Sequence, residues 1–151
     1  GALGCGAQMT DSTQKLVQLA IEAAQTAYAP YSNFHVGTAL LLDTGEIITG
    51  SNFENASYGM TLCAETVAIA KANSDGKLRA IREIAVAGGL AGHVGKAADP
   101  ITPCGRCRQI IKEVADLTDI DIPVHCAHAT GYETFRLSEL LPHGFGPANL
   151  K

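Results

Sequence analysis

Val36-Gly37-Thr38-Ala39-Leu40-Leu41-Leu42 is a short, almost wholly apolar run that ends in Asp43-Thr44-Gly45, residues suited to a tight turn. It reads as a buried strand, and the rest of the chain arranges itself around it. A second strand leaves the turn at about Glu46 and reaches Asn52. Upstream, Leu16, Leu19, Ala20, Ala23, Ala24 and Ala27 recur at helical spacing behind an Asp11-Ser12 cap signal, which predicts a helix over 11–27. Tyr28-Ala29-Pro30-Tyr31-Ser32 breaks it. Downstream, 62–72 reads as a second helix stopped by Asp75-Gly76, and 81–87 as a third strand. The stretch 88–103, rich in Gly and Pro, reads as a surface loop. A third helix over 105–115, with Ile110, Ile111 and Val114 inward, precedes two strands at 122–127 and 132–136. The order α-β-β-α-β-α-β-β predicts an α/β protein: a three-layer α/β/α sandwich around a five-stranded mixed sheet.

A length of 151 residues, with 46% hydrophobic and 17% charged residues, suits one globular domain. Residues 9–151 form that domain in this reading, and 1–8, rich in Gly and Ala without the basic start and apolar centre of a signal peptide, read as an appended or disordered N-terminus. The apolar runs fall well short of the roughly 20 residues of a membrane helix, so no membrane partner is expected. A cytoplasmic, reducing setting then makes the cysteines better candidates for metal ligands or nucleophiles than for disulfides. The net charge of -4 offers no pull on a phosphate polymer, so the expected partner is a small molecule and not a nucleic acid.

Pro103-Cys104-Gly105-Arg106-Cys107 places two thiols on the first turn of the third helix, where residues three apart share a face. The positive end of the helix dipole favours thiolates there. A lone CxxC fits a zinc site and also a redox dithiol. Cys63, at the start of the second helix, supplies a candidate third ligand, and Glu65 follows two residues later. Three protein ligands leave the fourth position of Zn2+ open, as catalytic sites require, and a carboxylate beside that position can move protons between water and a departing amine. Taken singly, Cys63 would more often be a small buried hydrophobe and Glu65 a solvated acid favoured by the helix dipole. Their joint occurrence upstream of a Pro-Cys-x-x-Cys helix favours the catalytic reading.

Cys63-Ala64-Glu65 followed by Pro103-Cys104-Gly105-Arg106-Cys107 is the ligand-x-Glu and Pro-Cys-x-x-Cys pattern of zinc deaminases. Together with Tyr28-Ala29-Pro30-Tyr31-Ser32-Asn33-Phe34, Gly50-Ser51-Asn52-Phe53-Glu54-Asn55-Ala56 and the tail Leu140-Leu141-Pro142-His143-Gly144-Phe145, the chain resembles the short, all-cysteine class of cytidine deaminases over nearly everything after Met9. That resemblance implies a homotetramer with one Zn2+ per subunit, held by Cys63, Cys104 and Cys107. It also implies hydrolysis of cytidine and deoxycytidine to the uridines and ammonia, a pyrimidine-salvage activity. It casts Asn52 and Glu54 as the pair that holds the ribose hydroxyls, on alternate residues of a strand end that face one side. Phe34 would pack on the nucleoside, Phe145 would cover the base of a neighbouring subunit, and backbone groups at Ala64 and Cys104 would hold the pyrimidine edge with Glu65. Glu65 would take a proton from the attacking water as it adds at C4, then deliver protons to N3 and to the leaving amine.

Three thiolates on one dication carry a formal charge near -1, which opposes acidification of water unless that charge is drawn off. Arg108 resembles the family arginine that donates to a zinc-bound sulfur. Many relatives also carry Arg directly after the catalytic Glu, where this chain has Thr66, which can donate one neutral hydrogen bond. That departure keeps deaminases of N4-substituted or blasticidin-like cytosine nucleosides in view, with 58–62 and the loop 88–103 as the segments expected to set tolerance of an altered base or N4 substituent. A non-catalytic structural zinc module is the further alternative. Cys126, His125 and His128 lie in a strand-like run where adjacent side chains diverge, and they receive no functional role.

Overall fold

The computed structural model describes residues 2–150, with side chains described from residue 12 onward. Five strands form one mixed sheet in the order β2-β1-β3-β4-β5: β1 (Phe34–Leu42), β2 (Ile47–Ser51), β3 (Ile81–Leu90), β4 (Pro123–His128) and β5 (Gly131–Arg136). β1 runs antiparallel to both β2 and β3, β3 and β4 are parallel, and β4 and β5 close an antiparallel hairpin. The helices are α1 (Ala2–Ala23), α2 (Ala64–Ser74), α3 (Gly105–Thr118) and the one-turn α4 (Leu137–Leu140). Among the described residues no helix is long and apolar enough to cross a membrane.

Period-two alternation along the strands builds the three layers. Ala39, Ala85, Ala87 and Ala127 point to one face and meet Leu16, Val17 and Ala20 of α1. Leu40, Leu42, Ile84, Val86, Val124 and Cys126 point to the other and meet Ala68, Ile69 and Ala72 of α2 with Ile111, Val114 and Ala115 of α3. The first face is built from small residues, so α1 lies close on the sheet. At Gly37 of β1 a Cβ would collide with the Ala20 backbone. On the second face Gly50 of β2 does the same for α2, since a Cβ there would sit 2.8 Å from the Ala68 nitrogen. α2 is thereby held low over the sheet, which fixes the height of its N-terminus.

Two boundaries differ from the sequence expectations. α1 begins upstream, at Ala2, and ends at Ala23, with the following turn tightened to 3-10 geometry at Ala24–Thr26. The Asp11-Ser12 pair therefore lies within the helix and does not start it. The side chains of 1–8, expected to form an appendage, lie outside the described residues. The second difference bears on the site. The stretch 88–103 is not a loop throughout, because β3 continues to Leu90 and pairs with β1 as far as Phe34. Its glycines signal close approach as well as turning: a Cβ on Gly89 would lie 2.5 Å from the His93 carbonyl oxygen.

Candidate active site

β1 starts where β3 ends, and the N-termini of α2 and α3 are brought to that same edge of the sheet. Asn52 pins the corner. Its Oδ1 accepts from the Val36 amide at 2.9 Å and its Nδ2 donates to the Phe34 carbonyl at 2.9 Å, so the start of β1 is tied to the end of β2. The chain then loops out and returns through a two-way backbone pair of Phe53 with Leu62, at 2.9 Å each way, which delivers Cys63 to the head of α2. Cys63 and Cys104 are both N-cap residues with extended backbone, and Cys107 lies one turn into α3.

The three sulfurs lie within 4.8 Å of one another, and Cys63 Sγ is 3.9 Å from Cys104 Sγ. Zinc–sulfur bonds of about 2.3 Å in a tetrahedron require sulfurs about 3.8 Å apart, so the thiol set fits Zn2+. Cys107 is buried, Cys63 partly so and Cys104 exposed, which leaves the cluster walled by protein on one side and open on the other. Within the thiol set the Cys63 thiol is drawn down to about 6, first by its hydrogen bond with Cys107 and further by Cys104 and the Arg106 charge. The same contact with Cys63, followed by burial, pushes Cys107 upward. A divalent cation held by the three sulfurs would favour their thiolate forms.

Glu65, in the first turn of α2, is only 3% exposed. Burial raises its carboxyl to about 7, the Cys63 charge adds to the rise, and hydrogen bonding to its own backbone and to Cys107 opposes it. A carboxyl poised near neutrality can both take and give a proton. The cluster and Glu65 open onto a cavity of about 200 Å3 lined by Phe34, Val36, Asn52, Thr61, Cys63, Ala64, Glu65, Val86, Ile101, Thr102 and Cys104. Larger grooves elsewhere, such as one of about 710 Å3 beside α1 and the β4–β5 turn, do not contain this cluster.

Of the residues singled out in the sequence, Cys63, Cys104, Cys107, Glu65, Ala64, Phe34 and Asn52 converge on this one place. The Asn52 amide spends one hydrogen bond at each end on β1 and keeps capacity for another at each. Glu54 is not in the lining of the cavity. Its carboxylate accepts from the Tyr31 amide at 3.0 Å, the Ser32 amide at 3.2 Å and the Ser32 hydroxyl at 2.5 Å, the last of these chiefly holding it below its ordinary pKa. Phe145 is 55% exposed and outside the lining of its own chain's cavity. Arg108 makes three hydrogen bonds, none of them to a sulfur. Its Nε donates to the Pro103 carbonyl at 2.7 Å, and its terminal nitrogens to the Leu140 carbonyl and the Thr102 hydroxyl at 2.9 Å each, so its donors serve the loop before α3 and the end of α4 in place of a sulfur. Thr66 takes the contact with sulfur instead, its hydroxyl lying 3.7 Å from Cys107 Sγ. Thr61, Ile101 and Thr102 of the wall fall in the segments 58–62 and 88–103, where the sequence points for tolerance of an altered base or N4 substituent. Val36 and Val86 were missed as wall residues, because in sequence they carry only the pattern of buried strands.

Fold and site together define an α/β/α protein with a three-thiol zinc site and a buried carboxylate beside the open side of the metal position. The model for the cytidine and deoxycytidylate deaminase zinc-binding region matches residues 10–120. A cytidine deaminase from Halalkalibacterium halodurans is 44% identical over 133 residues, 87% of this chain and 92% of that protein. The 1.6 Å crystal structure of a cytidine deaminase from Burkholderia pseudomallei superposes with a TM-score of 0.75 at 37% identity, covering 87% of this chain and 97% of that one. A blasticidin-S deaminase from Bacillus cereus is more distant, at 34% identity over 101 residues. The chain belongs to the cytidine and deoxycytidylate deaminase family.

Proposed function

We propose that this chain hydrolyses the exocyclic amine of cytidine and deoxycytidine, releasing ammonia and the uridine nucleosides. The observation that carries the reading is Glu65: a buried carboxyl beside three convergent thiols and facing a small cavity. That cavity is below the roughly 300–1,000 Å3 of drug-sized pockets, which suits a compact ring better than a bulky ligand.

Zn2+ bound by Cys63, Cys104 and Cys107 supplies Lewis-acid activation of water. Glu65 accepts one proton from the water that adds at C4 and delivers it to N3, then takes the second from the C4 hydroxyl so formed and delivers it to the amine, which leaves as ammonia as the C4 carbonyl forms; one carboxyl thus serves as base and acid in turn. Phe34 gives the ring an apolar wall, and its burial keeps competing water from the reacting carbon. The free N–H groups at the head of α2, from Ala64 onward, hold the pyrimidine edge, while Asn52 and Glu54 hold the ribose hydroxyls. Phe145, exposed in the single subunit, covers the base in a neighbouring one within a homotetramer. The aromatic patch of Tyr28, Tyr31, Phe53 and Tyr58 beside the site, exposed at 48% or more, supports burial against further copies. The setting is cytoplasmic pyrimidine salvage.

The test is an assay of zinc-loaded protein with cytidine, deoxycytidine, free cytosine and N4-substituted cytidines, following loss of cytosine absorbance together with ammonia. Turnover of the two nucleosides is expected. Turnover confined to N4-modified compounds would replace the substrate assignment, and no turnover at all would return the site to a structural role.

A further inference from the structure

Gly88 is a glycine in a strand interior that no backbone requirement explains. Its φ is not among the positive values, and it is buried in register with Val36 of β1. Glycine there weakens the strand, and the usual reason for keeping one is that something approaches the backbone closely. Here that something is the wall of the cavity. A Cβ on Gly88 would stand 3.0 Å from Phe34 Cε1, 3.4 Å from Phe34 Cζ and 3.2 Å from Ile101 Cγ2. Both contacting residues line the cavity that holds Glu65, whereas Gly88 itself does not. The neighbouring Gly89 has a different reason, the backbone of His93, so the pair is not a single flexible hinge.

We propose that Gly88 is a positioning residue for the nucleoside: its missing side chain seats the Phe34 ring against β3 beside Ile101, and so sets the width of the slot into which the base slides. This rests on the reading of the cavity as a nucleoside site. Any side chain at position 88 pushes the ring, Ile101 or both by a few tenths of an ångström into the slot. Phe34 touches the substrate and takes no proton, so the displacement weakens binding more than it slows the chemical step.

The experiment is a kinetic double-mutant cycle between Gly88→Ala and Phe34→Leu, the second of which deletes the Cε1 and Cζ atoms that the new methyl meets. In the wild-type background Gly88→Ala is expected to raise KM for cytidine roughly tenfold with kcat held within about twofold, since ångström-scale displacements cost about a hundredfold. In the Phe34→Leu background the same change should leave KM within about twofold, the coupling expected of residues in contact. An equal KM increase in both backgrounds, or no increase in either, overturns the proposal. If Gly88→Ala does not fold, Ile101→Ala opens the other side of the seat and must raise KM with kcat kept; an unchanged KM there overturns it equally. A wild-type enzyme that does not deaminate cytidine overturns the functional reading and this inference with it, and that arm is read before any variant.

Discussion

The Thr66 hydroxyl lies 3.7 Å from Cys107 Sγ, within hydrogen-bonding reach of the most buried of the three sulfurs. A thiolate withdrawn from water needs a donor, and α2 supplies a neutral one from the turn that carries Glu65. Three Arg108 hydrogen bonds go to Pro103, Thr102 and Leu140, while Thr66 and Glu65, both in the first turn of α2, reach the Cys107 sulfur.

Replacing Thr66 with Val keeps its shape and removes the donor. Zinc affinity is expected to fall roughly tenfold, the lower end of what outer hydrogen bonds to metal ligands contribute. Thr66→Ser should retain the wild-type value. Competition with a chromophoric chelator measures both, and equal affinities for Val and Thr would remove Thr66 from the account of the sulfur.

Glu65→Gln keeps the volume of the buried side chain and abolishes proton transfer. The variant should bind one equivalent of zinc and lose about 10²- to 10⁴-fold in kcat, the range for a general acid–base group. Metal analysis alongside ammonia release separates the two effects. Retained activity would mean that water in the cavity is activated without this carboxyl.

The strands and the three ligands were legible because each carries a local signal. Val36 to Leu42 is apolar without interruption, and Cys104 and Cys107 sit at helical spacing behind a proline. Joining Cys63 to them needed pattern knowledge, because the contact spans 41 residues and rests on two helix starts meeting at one sheet edge. The end of β3 was misread since Gly88 and Gly89 look like a turn in sequence, yet they are small because Phe34 and the His93 backbone press on them. The partners that Arg108 finds were hidden in the sequence for a related reason. Its neighbour Cys107 suggested a sulfur partner, whereas the acceptors it finds lie 5, 6 and 32 residues away.

Arg108 holds the cavity wall by three hydrogen bonds, and Thr102 stands in that wall. Arg108→Ala should cost about 3 kcal/mol of stability, since bonds to charged donors contribute roughly 1.5–3 kcal/mol each and water recovers part of the loss at this half-buried site. KM should rise as the 101–103 segment loosens. Arg108→Lys, able to reach fewer acceptors at once, should fall between the two. Calorimetry and steady-state kinetics check the pair of effects; a variant with wild-type melting temperature would show that the segment is held by other contacts.

His125 gives the opposite expectation, stability without catalysis. It is 6% exposed, with Nδ1 2.7 Å from the Thr134 hydroxyl, Nε2 2.7 Å from the Glu83 carboxylate, and its ring edge-on to Tyr132. Because it alternates with Val124 and Cys126, which face α2 and α3, its side chain lies on the α1 side, across the sheet from the thiol cluster. His125→Ala removes a buried ring bonded at both nitrogens and should destabilise the fold by about 2–3 kcal/mol, a cavity cost joined to lost hydrogen bonds. Glu83→Gln and Thr134→Val should cost less, since both positions have access to water that can replace the lost partner. Urea unfolding gives the stabilities, and kcat and KM measured well below the unfolding transition should match the wild type. A loss of activity in the folded His125→Ala protein would mean that the sheet transmits strain from its α1 face to Glu65, and the two faces would then have to be treated as one coupled unit.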